Sequence, residues 1–208
     1  MLRTQSLFFA YNPGTEFRFP DIELDAGENL LVLGESGIGK TTLLHLMAGL
    51  LPPNAGKVDL NGTVLHELSV TQLDRFRGEN IGLVYQRPHF IKALSLEENL
   101  ALVQYLAGKS QDKKRRQEVT DSLGIGHKLR EKPHNLSQGE QQRAAIALAV
   151  INRPQVILAD EPTASLDNKN CTKVADLFQE QAAATGARLI IITHDERLKQ
   201  QFQNTLTL

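Results

Sequence analysis

The sequence predicts an α/β fold: a mostly parallel sheet, an antiparallel β subdomain at the N-terminus and an inserted helical segment. Three observations carry this. A glycine-rich loop joins the apolar run Leu30-Leu31-Val32-Leu33 to the helix-like Thr42-Leu43-Leu44-His45-Leu46-Met47-Ala48. Two further apolar runs, Val156-Ile157-Leu158-Ala159 and Leu189-Ile190-Ile191-Ile192, have strand length and end in polar residues, as strands buried on both faces do. Between the loop and these two runs, residues 87–150 show helical patterns and no strand pattern. The expected division is therefore a single domain over residues 1–208, with a core from 1–86 and 151–208 and a helical subdomain from 87–150.

In chain order, Ser6-Leu7-Phe8-Phe9-Ala10-Tyr11 reads as a strand and Asn12-Pro13-Gly14 as a turn. Glu16-Phe17-Arg18-Phe19 alternates, Pro20 interrupts, and Asp21-Ile22-Glu23-Leu24 alternates again. This predicts an antiparallel hairpin with the proline at an edge or bulge. A breaker cluster after the first helix leads to Lys57-Val58-Asp59-Leu60-Asn61-Gly62-Thr63-Val64-Leu65, whose Asn-Gly pair favours a tight hairpin. A short helix over residues 69–77 and a buried strand ending at Gln86 follow. Ser95-Leu96-Glu97-Glu98 is a capping box opening a helix through Leu106. Lys113-Lys114-Arg115-Arg116 opens another helix, and this basic run reads first as a solvated face. The last helices run over residues 141–151 and 171–183, the second with Val174, Leu177 and Phe178 toward the core.

The glycine-rich loop is Gly34-Glu35-Ser36-Gly37-Ile38-Gly39-Lys40-Thr41, which fits G-x-x-x-x-G-K-[ST]. Its glycines let successive backbone N–H groups turn toward one anion, and the helix N-terminus adds partial positive charge. Lys40 would reach the β- and γ-phosphates of a nucleotide, and the Thr41 hydroxyl would ligate Mg²⁺. Strand, loop and helix in this order predict nucleotide binding.

Two carboxylates, Asp160 and Glu161, end the strand at 156–159. A strand end beside such a loop suits distinct jobs for them: Asp160 toward a hydrated Mg²⁺, Glu161 toward the attacking water. A single acid capping the next helix is the plainer explanation, and it covers one acid better than two. His194, at the end of the last apolar run, is read as a γ-phosphate contact rather than a structural histidine. Ser137 and Glu140 form another capping box, but that does not explain Gly139, since glycine in a first turn weakens a helix. The sharper reading is a second phosphate-binding helix N-terminus. Tyr11 offers a flat ring to an adenine, although its local pattern beside Phe8 and Phe9 favours a core or edge aromatic.

Composition narrows the classes. With 208 residues, 41% of them apolar, the chain can bury a sizeable core. A net charge of -1 gives no general pull toward nucleic acid. The one cysteine, Cys171, permits no internal disulfide. No signal peptide is visible, and no apolar run approaches the ~18 residues of a membrane helix. Any membrane role is therefore expected to need a partner.

Together, over nearly the whole chain and in the same order, these residues resemble the ATP-binding subunit of an ABC transporter, with a RecA-like P-loop NTPase core. The resemblance implies nucleotide binding by Tyr11 as adenine-stacking aromatic and by Gly34, Glu35, Ser36, Gly37, Ile38, Gly39, Lys40, Thr41 and Thr42. It makes Gln86 the Q-loop glutamine, near Mg²⁺ with Thr41 and Asp160, and counts it with Glu161 and His194 among the catalytic residues. Leu136, Ser137, Gln138, Gly139 and Glu140 become the signature that closes over the nucleotide of a second copy, and Ser165, Leu166 and Asp167 the D-loop. The signature carries Gln138 where the family commonly has glycine and Glu140 where it has glutamine; the P-loop carries Ile38 where serine is usual.

The implied protein is an Mg-ATP hydrolase that forms a head-to-tail homodimer. It sits on the cytoplasmic face of a membrane through a transmembrane permease subunit and uses no nucleic acid partner. In the family that subunit docks beside the Q-loop, here near Phe90, Ile91 and Leu94. The run from Leu158 to Asp167, with Val84-Tyr85-Gln86, is most similar to the lipoprotein-release and macrolide-efflux group. Solute importers share nearly the same motifs. ABC ATPases of DNA repair carry long coiled coils between Q-loop and signature, and translation factors carry two cassettes; this chain has no sustained heptads there and one cassette.

Overall fold

The computed structural model describes every residue except Pro13 and Ser165, and every side chain except those two and Asn168 and Lys169. Two sheets organise it. The N-terminal sheet is antiparallel: β1 (Leu2–Asn12) is flanked by β5 (Ala55–Leu60) on one side and by β2 (Thr15–Arg18) and β3 (Glu23–Leu24) on the other. β6 (Thr63–Val64) returns on β5 through the Asn61-Gly62 turn, where both residues take positive φ. The two alternating runs around Pro20 do not pair with each other. They follow one edge of β1 in succession, bridged where Phe19 N–H donates to the Leu7 carbonyl and Ser6 N–H to Asp21 Oδ1. Pro20, which has no N–H to give a ladder, thus lies on an edge. The turn expected at Asn12-Pro13-Gly14 includes Pro13, outside the described residues.

The second sheet is parallel throughout, in the order β10 (Asn204–Thr207), β4 (Asn29–Leu33), β9 (Arg188–Thr193), β8 (Val156–Asp160), β7 (Ile81–Val84). Its central strands are apolar without alternation because both faces are covered. Leu31 and Leu33 of β4, Ile157 and Ala159 of β8, and Leu189 and Ile191 of β9 join a core shared with the helices after β7. Their neighbours Leu30, Val32, Leu158, Ile190 and Ile192 turn the other way, into a core with α1 (Lys40–Met47) and the antiparallel sheet. β10 has no counterpart in the sequence reading: three of its four residues are polar and exposed on the sheet edge, so it lacks an apolar signature.

Between β7 and β8 the described residues are helical or irregular. α3 (Leu96–Leu106) opens on Ser95 and α5 (Gln138–Val150) on Ser137, each with the predicted capping box. α4 (Lys113–Ser122) is capped by Asp112. α2 (Val70–Asn80) precedes β7 and also starts on a capping box, at Ser69. α6 (Asn168–Thr185) begins earlier than periodicity suggested, because Asp167 caps it by accepting Asn170 N–H at 2.9 Å. α5 likewise begins three residues before the predicted start, which puts Gly139 inside its first turn. Gly82 of β7 permits close packing on α5: a Cβ there would lie 2.4 Å from the Ala149 carbonyl oxygen. Among the described residues, no helix is long and apolar enough to cross a membrane.

Candidate active site

Parallel register brings the C-terminal ends of β4, β9 and β8 to the same edge, and the loops that leave them meet there. They enclose an open cleft of about 740 Å³. One wall is the glycine loop between β4 and α1. Gly37 and Gly39 take φ of +88° and +102°, which L side chains rarely adopt. Gly39 has a second constraint: an added Cβ would meet the Phe17 ring at 2.5 Å. Lys40 is buried, and its Nζ donates to the carbonyls of Gly34 at 2.7 Å and Glu35 at 2.9 Å. The ammonium thus sits inside the curl of its own loop, 3.6 Å from Glu161 Oε1.

The opposite wall is the end of β8. The Thr41 hydroxyl donates to Asp160 Oδ2 at 2.9 Å, which links the first turn of α1 to that strand. Asp160 Oδ1 is buried and accepts no hydrogen bond. Burial pushes this carboxyl above the ordinary aspartate range, against the opposing pull of the Thr41 hydroxyl. An orphaned carboxylate oxygen beside a threonine hydroxyl fits a hard divalent cation. Among the described residues no group of three or more His, Cys, Asp or Glu could hold a metal alone, so such a cation would share its shell with water and substrate phosphates.

Glu161 takes a left-handed φ of +47°, an uncommon conformation for a residue with a side chain. Its carboxylate is fully engaged: Oε2 accepts the Thr193 hydroxyl at 2.8 Å, and Oε1 lies 2.9 Å from His194 Nδ1. The His194 backbone N–H donates to the same carboxylate at 3.1 Å. Gln86, two residues beyond β7, lines the cleft with Lys40, Thr41, Asp160, Glu161 and His194. Glu35, Ser36, Gly37 and Thr42 complete the polar lining.

Other predicted residues lie away from the cleft. The Tyr11 hydroxyl pairs with Thr42 Oγ1 at 3.2 Å, and its ring, half exposed, stands edge-on to Phe9 and Phe17. The aromatic on the cleft wall is Phe17, which the sequence reading did not single out. None of Leu136, Ser137, Gln138, Gly139 and Glu140 lines the cleft of its own chain. Ser137 spends its hydroxyl on Glu140, whose pKa falls because Ser137 N–H and then Ser137 Oγ donate to it, with Lys128 adding to the effect. Gly139 has open space: a Cβ would meet only the Arg143 guanidinium, at an ordinary 3.6 Å. Packing inside the chain therefore does not require glycine there. Of the predicted D-loop, Leu166 packs against the core and Asp167 caps α6, while Ser165 lies outside the described residues. Thr193 was also missed; a polar residue closing the apolar run of β9 was the available signal.

Comparison with known proteins assigns this architecture. The family model described as ABC transporter matches residues 19–164, from the antiparallel sheet through the end of β8 and the loop after it. The chain belongs to the ABC transporter family. The lipoprotein-releasing system ATP-binding protein LolD of Idiomarina loihiensis is 38% identical over 100% of this chain and 94% of its own length. That of Shewanella oneidensis is 35% identical over 100% of this chain and 93% of its own length. Among solved structures, a dimeric ATP-binding cassette in a post-hydrolysis state with ADP and Pi superposes with a TM-score of 0.88 at 28% identity, covering 100% of this chain and 94% of that one. The cbiO1 protein of Clostridium perfringens, part of the ABC transporter complex cbiONQ, reaches a TM-score of 0.88 at 27% identity, covering 99% of this chain and 83% of that one. This ABC cassette is an ATP-binding, ATP-hydrolysing transport subunit with a P-loop NTPase core, and its neighbour with ADP and Pi is dimeric.

Proposed function

We propose that this ABC ATPase powers the release of lipoproteins from a membrane, working from the cytoplasmic face through a transmembrane partner. Full-length similarity to lipoprotein-releasing ATP-binding proteins supports this reading over a soluble DNA-repair or translation ATPase and over a solute importer. The observation that carries the chemistry is the Glu161 carboxylate, held by Thr193 and His194 and 3.6 Å from Lys40.

In this reading Lys40 leaves its own loop carbonyls to neutralise the β- and γ-phosphates of ATP. Glu161 orients the attacking water and takes its proton, and His194 holds the Glu161 carboxylate from one side and contacts the γ-phosphate from the other. Thr41, Asp160 and Gln86 would hold Mg²⁺, which when bound neutralises charge developing on the phosphates. The adenine stacks on the aromatic edge formed by Tyr11 and Phe17. Ser137 and Gly139 of a second copy close over the γ-phosphate in a head-to-tail dimer, with Leu166 and Asp167 near the dimer seam. Residues 87–150 form the helical subdomain that carries this signature.

The test is reconstitution. The chain is combined in vesicles with the membrane subunits of a lipoprotein-releasing system and an acylated reporter lipoprotein. ATP should release the reporter into the vesicle exterior or onto an acceptor protein. Transport of a soluble solute with no lipoprotein release would replace this reading with the importer one.

A further inference from the structure

A buried cluster beside the cleft joins the two loops that frame it. Asp195 follows His194, yet its carboxylate is nine-tenths buried and lies outside the cleft wall. Oδ2 accepts the Thr163 hydroxyl at 3.1 Å, the Cys171 thiol at 3.5 Å and Arg197 Nη2 at 2.7 Å. Oδ1 accepts Arg197 Nε at 2.7 Å and the Arg197 backbone N–H at 3.1 Å. The other terminal nitrogen of the guanidinium, Nη1, donates to the Leu166 carbonyl at 3.1 Å. Thr193 Oγ1 donates to Glu161 and accepts Asp195 N–H at 3.0 Å. A continuous run of hydrogen bonds thus leads from Glu161 through Thr193, Asp195 and Arg197 to Leu166.

We infer that Arg197 is a positioning residue: its guanidinium, forked onto Asp195 and reaching the Leu166 carbonyl, sets the loop after Glu161 in register with the strand end that carries His194. The inference rests on the roles proposed above for Glu161 and His194. The planar fork matters because only a guanidinium can fill both carboxylate oxygens and still reach a carbonyl on another element. Thermal stability alone does not call for such a pair, since an ion pair with one partner at the surface is a weak stabiliser beside apolar packing. The surroundings supply that packing already, with Cys171, Val174 and Phe178 of α6 and Leu198 in one core. What the fork adds is direction. It fixes Leu166, and through it the start of α6 at Asp167, relative to the Glu161–His194 pair.

The test separates charge from geometry. Arg197→Lys keeps a cation against the buried Asp195 carboxylate but cannot make the fork, whereas Arg197→Ala removes both. Expected for Arg197→Lys is a Tm close to the parent's, a KM for ATP within about twofold, and a kcat lower by about tenfold or more. Arg197→Ala should lose Tm and kcat together. Arg197 is 39% exposed at its side chain, so millimolar guanidinium should reach the gap in Arg197→Ala and restore part of its kcat. Parent kcat in Arg197→Lys overturns the inference. If Arg197→Lys fails to fold, guanidinium decides, and a kcat of Arg197→Ala that does not respond to it overturns the inference equally. Glu161→Gln belongs in the same series: if it still hydrolyses ATP, the roles beneath the inference fail and the inference with them, whereas its inactivity beside a fully active Arg197→Lys sinks the inference alone.

Discussion

Glu161 and His194 are joined twice, once through the ring, with Nδ1 2.9 Å from Oε1, and once through the His194 backbone N–H, 3.1 Å from the same oxygen. The second bond survives any change of the histidine side chain. Removing the ring therefore leaves the carboxylate tethered by the backbone and by Thr193, while the γ-phosphate contact proposed for the ring goes. His194→Ala should bind ATP with nearly parental affinity and lose about a hundredfold in kcat. Glu161→Gln is nearly isosteric but cannot take a proton, so its loss should be larger, with binding retained. Equilibrium binding of a fluorescent ATP analogue and steady-state phosphate release measure the two halves. A turnover-competent Glu161→Gln would remove Glu161 from the mechanism.

Asp160 gives a prediction with an unusual sign. Burial raises its pKa, so without cation the folded chain binds this proton more tightly than the unfolded one. The folded state then loses stability as pH rises through the ordinary carboxylate range and above it. Above that range the buried, half-satisfied carboxylate destabilises the nucleotide-free protein. Asp160→Asn removes that charge, so its nucleotide-free Tm at pH 7.5 should equal or exceed the parent's, with a weaker decline from pH 5 to 7.5. Its ATPase should fall by about a hundredfold or more. Magnesium titrations in the presence of ATP, followed by Tm, should lose their stabilising effect. A marked fall in the nucleotide-free Tm would mean that the hydrogen bond from Thr41 outweighs the buried charge.

How much of this was legible in the sequence depends on whether a feature is local. The loop at 34–41, the strand-end acids 160 and 161 and the capping boxes at Ser95 and Ser137 are each written within a few residues, and in the capping boxes hydrogen bonds between residues three apart decide the helix start. Phe17 was not legible, because its place over Gly39 follows from how the antiparallel sheet lies across the start of α1. The register Phe9 to Phe17 carries the ring there, and no single segment encodes it. The pair Asp195–Arg197 lies two residues apart, yet its partners Thr163, Leu166 and Cys171 come from another loop and helix. β10 was missed because an edge strand with a polar outer face has no apolar run to announce it.

The signature residues stand apart from the cleft of their own chain, and Gly139 has room for a Cβ that the fold would accept. Gly139→Ala should therefore fold with a Tm at or above the parent's, since alanine favours a helix by up to about 1 kcal/mol over glycine. It should nevertheless weaken ATP-driven dimer formation by a Glu161→Gln background chain. Light scattering should give a dimer with Mg-ATP and a monomer with ADP for Glu161→Gln alone. Mixing Lys40→Ala with Ser137→Arg in that background creates one intact composite site and one doubly damaged site per mixed dimer. Partial dimer formation should return on mixing, although neither variant dimerises by itself. Equal mass with ATP and with ADP would count against the head-to-tail arrangement.

The surface proposed to meet a membrane partner is narrowed by burial. Phe90 packs against the core and is only partly exposed, so its replacement by a charge should destabilise the fold and cannot isolate a docking role. Ile91 is different: it is 53% exposed in a stretch that is nonetheless tied by hydrogen bonds to α3. Asn99 of α3, itself buried, accepts Ile91 N–H at 2.9 Å and donates to the carbonyls of Ile91 and Leu94, each at 3.2 Å. A large apolar side chain presented by a pinned loop, five residues beyond Gln86, suits a site for a short partner helix. Ile91→Asp should leave Tm within a few degrees of the parent, since it removes an exposed group only. Basal ATPase of the isolated subunit should stay within about twofold. Co-purification with the membrane subunits and the stimulation of ATPase by lipoprotein should both be lost. Asn99→Ala frees the loop while keeping Ile91, so it should weaken assembly by about tenfold rather than abolish it, because ordering that stretch is then charged to binding. Normal assembly of Ile91→Asp would move the docking surface elsewhere on the cassette.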